Sequence, residues 1–154
     1  MKQRFKPITV NMEGTMTAVG SEPHKIQMAC PGRLYERDGN FRIVYREPTS
    51  SGLGKTLTTV HWQDETMVRI VRTGHSSMTL ELRPGERGMS RLKMPLGILT
   101  FDVETENIKI TETDRGGSIE LSYFLDHGAN QVIQSLMKIS YRYARDDLFD
   151  VIKV

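Results

Sequence analysis

The stretch from Thr49 to Thr56, TSSGLGKT, ends in Gly-Lys-Thr, the three residues that close a Walker A phosphate-binding loop. Such a loop also needs a glycine five positions before the glycine of Gly-Lys-Thr, because backbone amides wrap the phosphates there. Thr49 stands at that position. The loop should lead into a helix, whereas the residues after Lys55, LTTVHW, are typical of a strand. The stretch therefore predicts a turn between strands and no nucleotide site.

The histidines stand in separate segments, which argues against a metal site. The sequence has no His-x-x-x-His pair, no Cys-x-x-Cys pair and no acidic loop with the spacing of metal ligands. We therefore predict no metal and no cofactor. The four histidines are His24, His61, His75 and His127.

Candidate nucleophiles are equally weak. Ser76 and Ser77 follow a glycine and a histidine, but the Gly-x-Ser-x-Gly elbow that presents a catalytic serine is absent. Cys30 is the single cysteine and has no partner motif, so we interpret it as a packed thiol in a reducing compartment. These observations predict a protein that is not an enzyme.

The elements that would position any site alternate with period two, apolar on one face and polar on the other. Glycine-rich and proline-rich turn signals separate them at short spacing, and segments 55–62 and 66–73 are also predicted strands. This pattern predicts an all-β fold, a single antiparallel up-and-down barrel of about eight to ten strands. The alternating apolar residues are Ile8, Val10 and Met12; Phe41, Ile43 and Tyr45; Met78, Leu80 and Leu82; Leu99, Phe101 and Val103; Ile119, Leu121, Tyr123 and Leu125.

Two charged residues fall on the apolar faces of predicted strands. In FRIVYRE, residues 41–47, alternation places Glu47 on the face of Tyr45, which should line the barrel interior. In VRIVR, residues 68–72, it places Arg72 on the interior face. If consecutive strands run up and down, both charges lie near one mouth of the barrel, two strand spacings or about 10 Å apart from backbone to backbone.

Threonines of the strand between these charges complete a candidate ligand-binding set. Thr56 and Thr58 lie nearest, with Thr59 instead if that strand has the opposite parity. Two interpretations remain open: the charges end their strands and reach water, or they form the polar end of an apolar cup that orients an amphipathic ligand. The planar guanidinium of an arginine can donate two parallel hydrogen bonds to the carboxylate or phosphate of a ligand. The candidate residues are Glu47, Arg72, Thr56, Thr58 and Tyr45.

Length and charge favour one domain over residues 1–154. The 21 basic and 19 acidic residues leave a formal charge of +2 and are interspersed, which predicts no nucleic-acid binding. No segment reads as a secretory signal or is apolar for long enough to span a bilayer, so we expect a cytoplasmic protein. The tail 144–154 departs from the alternation and forms either a short amphipathic helix or one more strand.

Four segments in order resemble the YwiB-like family of small bacterial proteins, whose function is not established. They are YREPTSSGLGKTLTTVHW, VRIVRTGHSSMTLELRPG, PLGILTFDVETENIKIT and GGSIELSYFLDHGANQVIQSLMKISYR. The resemblance covers about residues 5–142. It implies a calycin-like β-barrel, similar in architecture to lipocalins and fatty-acid-binding proteins, and it implies no activity, cofactor or catalytic residue.

The function predicted from these observations is non-catalytic binding of a small apolar or amphipathic ligand inside the barrel. The alternative is a protein-interaction or regulatory module whose barrel is filled by its own side chains. A connected interior cavity favours the first function. An interior closed by Phe, Tyr and Met favours the second.

Overall fold

The computed structural model describes residues 4–47, 56–128 and 132–144, and within these ranges it consists of ten strands and their turns. The predicted loop Ser51–Gly54 and the tail from residue 145 onward lie outside the described residues. The strands are β1 (Phe5–Ala18), β2 (His24–Arg37), β3 (Asn40–Arg46), β4 (Leu57–Trp62), β5 (Val68–Thr73), β6 (Ser77–Leu82), β7 (Arg87–Met94), β8 (Gly97–Thr113), β9 (Gly116–Asp126) and β10 (Val132–Tyr143).

The strands form a closed, antiparallel up-and-down barrel. Each strand pairs with the next in sequence, and β10 returns to pair with β1. Short turns make this topology possible: Asp38 and Gly39 have φ angles of 53° and 79°, the left-handed values that a two-residue hairpin loop requires. The predicted fold class is confirmed, at the upper limit of the predicted strand number.

We call the end of the barrel at which β3 and β5 finish the upper end. The turns 19–23, 74–76 and 95–96 lie there, and the turns 38–39, 63–67, 83–86 and 114–115 lie at the lower end. Because every strand runs from one end to the other, residues near the end of β3 and the end of β5 share the upper mouth, as the sequence predicts.

Large aromatic side chains fill the lower half of the barrel. Trp62 is 3% exposed, stacks on Phe41 with ring centroids 5.3 Å apart, and lies 6.0 Å from the ring of Tyr141. Gly116 lets Tyr141 approach the β8–β9 turn, because a Cβ at that glycine would collide with the Tyr141 backbone carbonyl. The lower end therefore forms a closed floor.

The predicted alternation is confirmed in the interior, with local departures. Leu99 is 44% exposed because β8 starts beyond the upper rim. A bulge between Thr105 and Asn107 shifts the register of β8 against β9, so Thr105 and Ile108 both face inward. Strands β2, β7 and β10 are not among the segments named as predicted strands from the sequence. In the part of the chain that is described, no helix has the length and apolarity to cross a membrane.

Candidate functional site

The upper half of the barrel encloses a cavity of about 590 Å³. Its walls are mainly apolar, and six of the nine methionines of the sequence line it, namely Met12, Met16, Met28, Met78, Met94 and Met137. Methionine fills irregular space and adapts to different shapes. Six polar residues interrupt the apolar wall below the rim: Glu47, Thr56, Arg72, Ser90, Tyr123 and Ser135.

Glu47 is the buried acid of this cavity. Its side chain has no exposed surface, because it follows β3 on the inward-facing parity. Its backbone N–H donates to the Thr56 carbonyl at 2.8 Å, and the Thr58 hydroxyl donates to its Oε1 at 2.8 Å. The other carboxylate oxygen, Oε2, is buried and has no hydrogen-bond partner among the described residues.

Arg72 lies beside this carboxylate and carries the opposite charge. Its Nε is 3.7 Å from Glu47 Oε1, and its side chain is 20% exposed. Nε makes no hydrogen bond to any described residue. The two groups meet because Thr58 lies opposite both Tyr45 and Arg72 in the ladders of β4 with β3 and β5. The predicted approach of Glu47 and Arg72 thus occurs, and Thr58 bridges the strands.

The five predicted site residues separate into two groups. Glu47, Thr56 and Arg72 line the cavity, whereas Tyr45 and Thr58 are buried in the core and are not among its lining residues. Their role in ligand binding stays a prediction.

Burial of this region changes the acidity of the groups near Glu47. Desolvation, followed by the Glu47 charge, raises the pKa of Tyr45 well above its ordinary value of 10. The same two causes, in the same order, raise the pKa of the Cys30 thiol. Both side chains therefore stay protonated and neutral at neutral pH. This agrees with the interpretation of Cys30 as a packed thiol.

Tyr123 and Ser135 also belong to the site, and neither residue was predicted as a site residue from the sequence. Burial raises the pKa of Tyr123, while a hydrogen bond with Ser135 and the charge of Arg72 act in the opposite direction. Arg72 also acts on Tyr45, although β3 and β9 stand four strands apart around the barrel. The guanidinium therefore lies within electrostatic reach of both walls of the cavity.

The barrel wall is thin at a seam between β6 and β7. Both strands are described along their whole length, and their backbone ladder consists of two residue pairs, Ser77 with Lys93 and Met78 with Leu92. Closer to the lower end, where the backbone ladder of β6 with β7 has ended, the Ser90 hydroxyl donates a hydrogen bond to the Thr79 carbonyl at 2.8 Å. Met78, Ser90 and Arg72 line both the cavity and a groove on the outer surface. At this seam only side chains separate the cavity from the outside.

Within the described ranges, the site is not built as a metal centre. No three His, Cys, Asp or Glu side chains come together there in a way that could hold a metal ion. The polar residues below the rim are instead an ion pair of Glu47 with Arg72 and neutral hydroxyl groups. Such a set can orient a bound molecule through hydrogen bonds.

Alkaline pH tests the environment of Tyr45. Since its pKa is raised in the folded protein, the folded state holds the phenol proton more tightly than the unfolded chain. The resulting stability is fully present below about pH 10 and is lost as the pH rises through the folded pKa. Above pH 10 we expect the free energy of unfolding to fall by about 1.4 kcal/mol per pH unit for each such proton. Denaturant unfolding of Tyr45→Phe should show a shallower fall than the wild type, and an equal slope would contradict the assignment.

Comparison with known proteins places the chain in a family. The sequence profile of a domain of unknown function, DUF1934, matches residues 10–139. The crystal structure of the ywiB protein from Bacillus subtilis superposes with a TM-score of 0.80 at 23% sequence identity, over 91% of this chain and 93% of that one. No curated protein matches the chain. The resemblance stated from the sequence is confirmed, and the chain belongs to the DUF1934 family.

Proposed function

We propose that the protein binds a small apolar or amphipathic molecule inside its barrel and does not transform it. The observation that carries this proposal is the cavity of about 590 Å³ in the upper half, a volume within the usual range of small-molecule sites. The single, buried Cys30 is compatible with a reducing compartment, so the proposal places the protein in the cytoplasm.

The composition of the cavity wall supports an amphipathic ligand. Methionine and other apolar side chains cover most of the surface, and Glu47 with Arg72 forms a polar region at one side. Small-molecule sites are usually built in this way, with a few polar groups that fix orientation inside an apolar pocket. Below the rim, the described lining residues include no His, Cys or Lys, and the proposal includes no reaction.

The alternative function is a protein-interaction or regulatory module. Two observations favour it: the lower half of the barrel is filled, and apolar side chains are exposed at the β7–β8 turn and at the start of β8. Leu96 is 101% exposed and Ile98 is 58% exposed. The cavity has no role in this alternative, and for that reason we place it second.

Native mass spectrometry of the freshly purified protein separates the two functions. A bound ligand would appear as a mass excess that is lost on denaturation, and its mass would identify the ligand class. The bare mass of the chain, together with no uptake of added apolar dyes, would favour the interaction module.

Filling part of the cavity should weaken ligand binding. Leu92 lines the upper part of the cavity and is partly exposed, so Leu92→Trp adds an indole to open space without displacing a packed core. We expect the affinity for a neutral apolar dye such as Nile red to fall at least tenfold in a fluorescence titration. Leu96→Trp makes the same substitution at a fully exposed position on the turn that follows β7 and should leave the affinity unchanged. Equal affinities for the two variants would show that the dye does not occupy the cavity.

A further inference from the structure

The polar side of the cavity carries no net charge, and this selects the head group of the ligand. Glu47 and Arg72 contribute one charge of each sign, 3.7 Å apart. We infer that the polar end of the ligand is uncharged and donates a hydrogen bond to Glu47, as an alcohol or a primary amide does. This inference rests on the proposed function and names the class of its ligand.

One carboxylate oxygen of Glu47 lacks a hydrogen-bond donor among the described residues, and a ligand could supply it. Oε1 of Glu47 already accepts a hydrogen bond from Thr58, whereas Oε2 is buried without a donor among the described residues. Buried acceptors almost always have a partner, and one without a partner destabilises the fold. Glu47 belongs to the cavity wall, so the head group of a ligand is well placed to supply the missing donor.

The charge pair supplies the second argument. A carboxylate ligand would gain the attraction of Arg72 but would meet the Glu47 carboxylate in a region of low dielectric, where like charges repel strongly. An ammonium ligand would be attracted by Glu47 but repelled by Arg72. A neutral head group meets neither repulsion. It can accept a hydrogen bond from Arg72 while it donates one to Glu47.

The other ionisable residues that line the cavity do not change this balance. Lys25 and His24 are both exposed at the upper rim, where water and salt weaken electrostatic interactions. The remaining polar residues below the rim are neutral, and two of them, Tyr123 and Ser135, bond to each other. The preference for an uncharged head group differs from the expectation, based on Arg72 alone, of a carboxylate or phosphate ligand.

A set of ligands with one chain and different head groups tests the inference. Decanol, decanamide, decanoate and decylammonium would compete with Nile red for the wild-type protein at neutral pH. We expect decanol and decanamide to displace the dye at concentrations at least tenfold lower than the two ions. Equal or tighter binding of decanoate would overturn the inference and leave the proposed function intact. If Nile red itself does not bind, the proposed function fails, and the two failures are thus distinguishable.

A variant of Glu47 tests the cause of the preference. Glu47→Gln keeps the shape and removes the negative charge, so decanoate should bind at least tenfold more tightly than to the wild type. Glu81→Gln makes the same change at an exposed ion pair on the outer surface and should leave the ranking unchanged. If Glu47→Gln unfolds the protein, the variant Glu47→Gln with Arg72→Gln keeps the site neutral and should retain the preference for decanol. A decanoate affinity that does not respond to Glu47→Gln in the folded protein would overturn the role of Glu47.

Discussion

Trp62→Ala is expected to cost about 3 to 5 kcal/mol of the free energy of unfolding, because it removes the largest side chain of the barrel floor. Trp62 is 3% exposed and packs between the rings of Phe41 and Tyr141. The neighbouring strands hold these rings in place, so the floor cannot collapse into the space that the indole leaves. Since Trp62 is the single tryptophan, unfolding must be followed by circular dichroism in denaturant.

Phe5→Ala is the matched control for the floor. It removes another aromatic ring, but Phe5 is 41% exposed near the lower rim, with Tyr35 and Arg33 as its ring contacts. We expect a cost of about 1 kcal/mol or less, as for most substitutions on the surface. Similar costs for the two variants would show that the lower half is not a packed floor. The division of the barrel into a filled half and a hollow half would then be wrong.

The barrel could be predicted from the sequence because its determinants are local. Alternation with period two identifies the inward face of a strand, and turn residues such as Asp38 and Gly39 fix where one strand ends and the next begins. Up-and-down topology then follows from short connections. The same local rules placed Glu47 and Arg72 at one mouth, since each rule needed only the parity of a strand and the order of three neighbouring strands.

The rest of the site depends on contacts between distant strands, which parity does not determine. Tyr123 and Ser135 lie opposite each other in the ladder of β9 with β10. Their approach to Arg72 on β5, which is distant along the chain, depends on how β10 pairs with β1 to close the barrel. The bulge near Thr105 and the short ladder between β6 and β7 are likewise set by the tertiary structure. The nine methionines of the sequence are compatible with a cavity lining, but a packed core would produce the same composition.

The sequence also does not predict where the filled lower half of the barrel ends and the cavity begins. Inward-facing residues of both halves obey the same alternation, so the pattern shows that the residues face inward but does not show whether they meet. In a ten-stranded barrel the interior is wide, and large rings such as Trp62 and Tyr141 close it where they converge. Closer to the upper end, flexible methionines and small hydroxyl residues such as Ser90 and Ser135 leave space.

Arg72→Ala is the second change with a large expected effect. It would leave the Glu47 carboxylate, whose side chain has no exposed surface, without the neighbouring positive charge. Removing one partner of a buried ion pair costs about 3 to 5 kcal/mol, so the free energy of unfolding in urea should fall by that amount. Adding Glu47→Gln removes the unpaired charge and should recover a measurable part of the loss, which makes the two substitutions non-additive.

The pair Arg69–Glu81 is the control cycle, and it shows why burial rather than distance sets the size of this effect. Its N···O distance is 2.7 Å, shorter than the 3.7 Å of the cavity pair, but its side chains are 44% and 41% exposed. Water solvates the charge that remains after either substitution, so Arg69→Ala and Glu81→Gln should couple by only about 0 to 1 kcal/mol. A coupling for the cavity pair as small as that of the surface pair would mean that water reaches Glu47 freely. The carboxylate would then be solvated in the absence of a ligand, and it would no longer require a donor from the ligand.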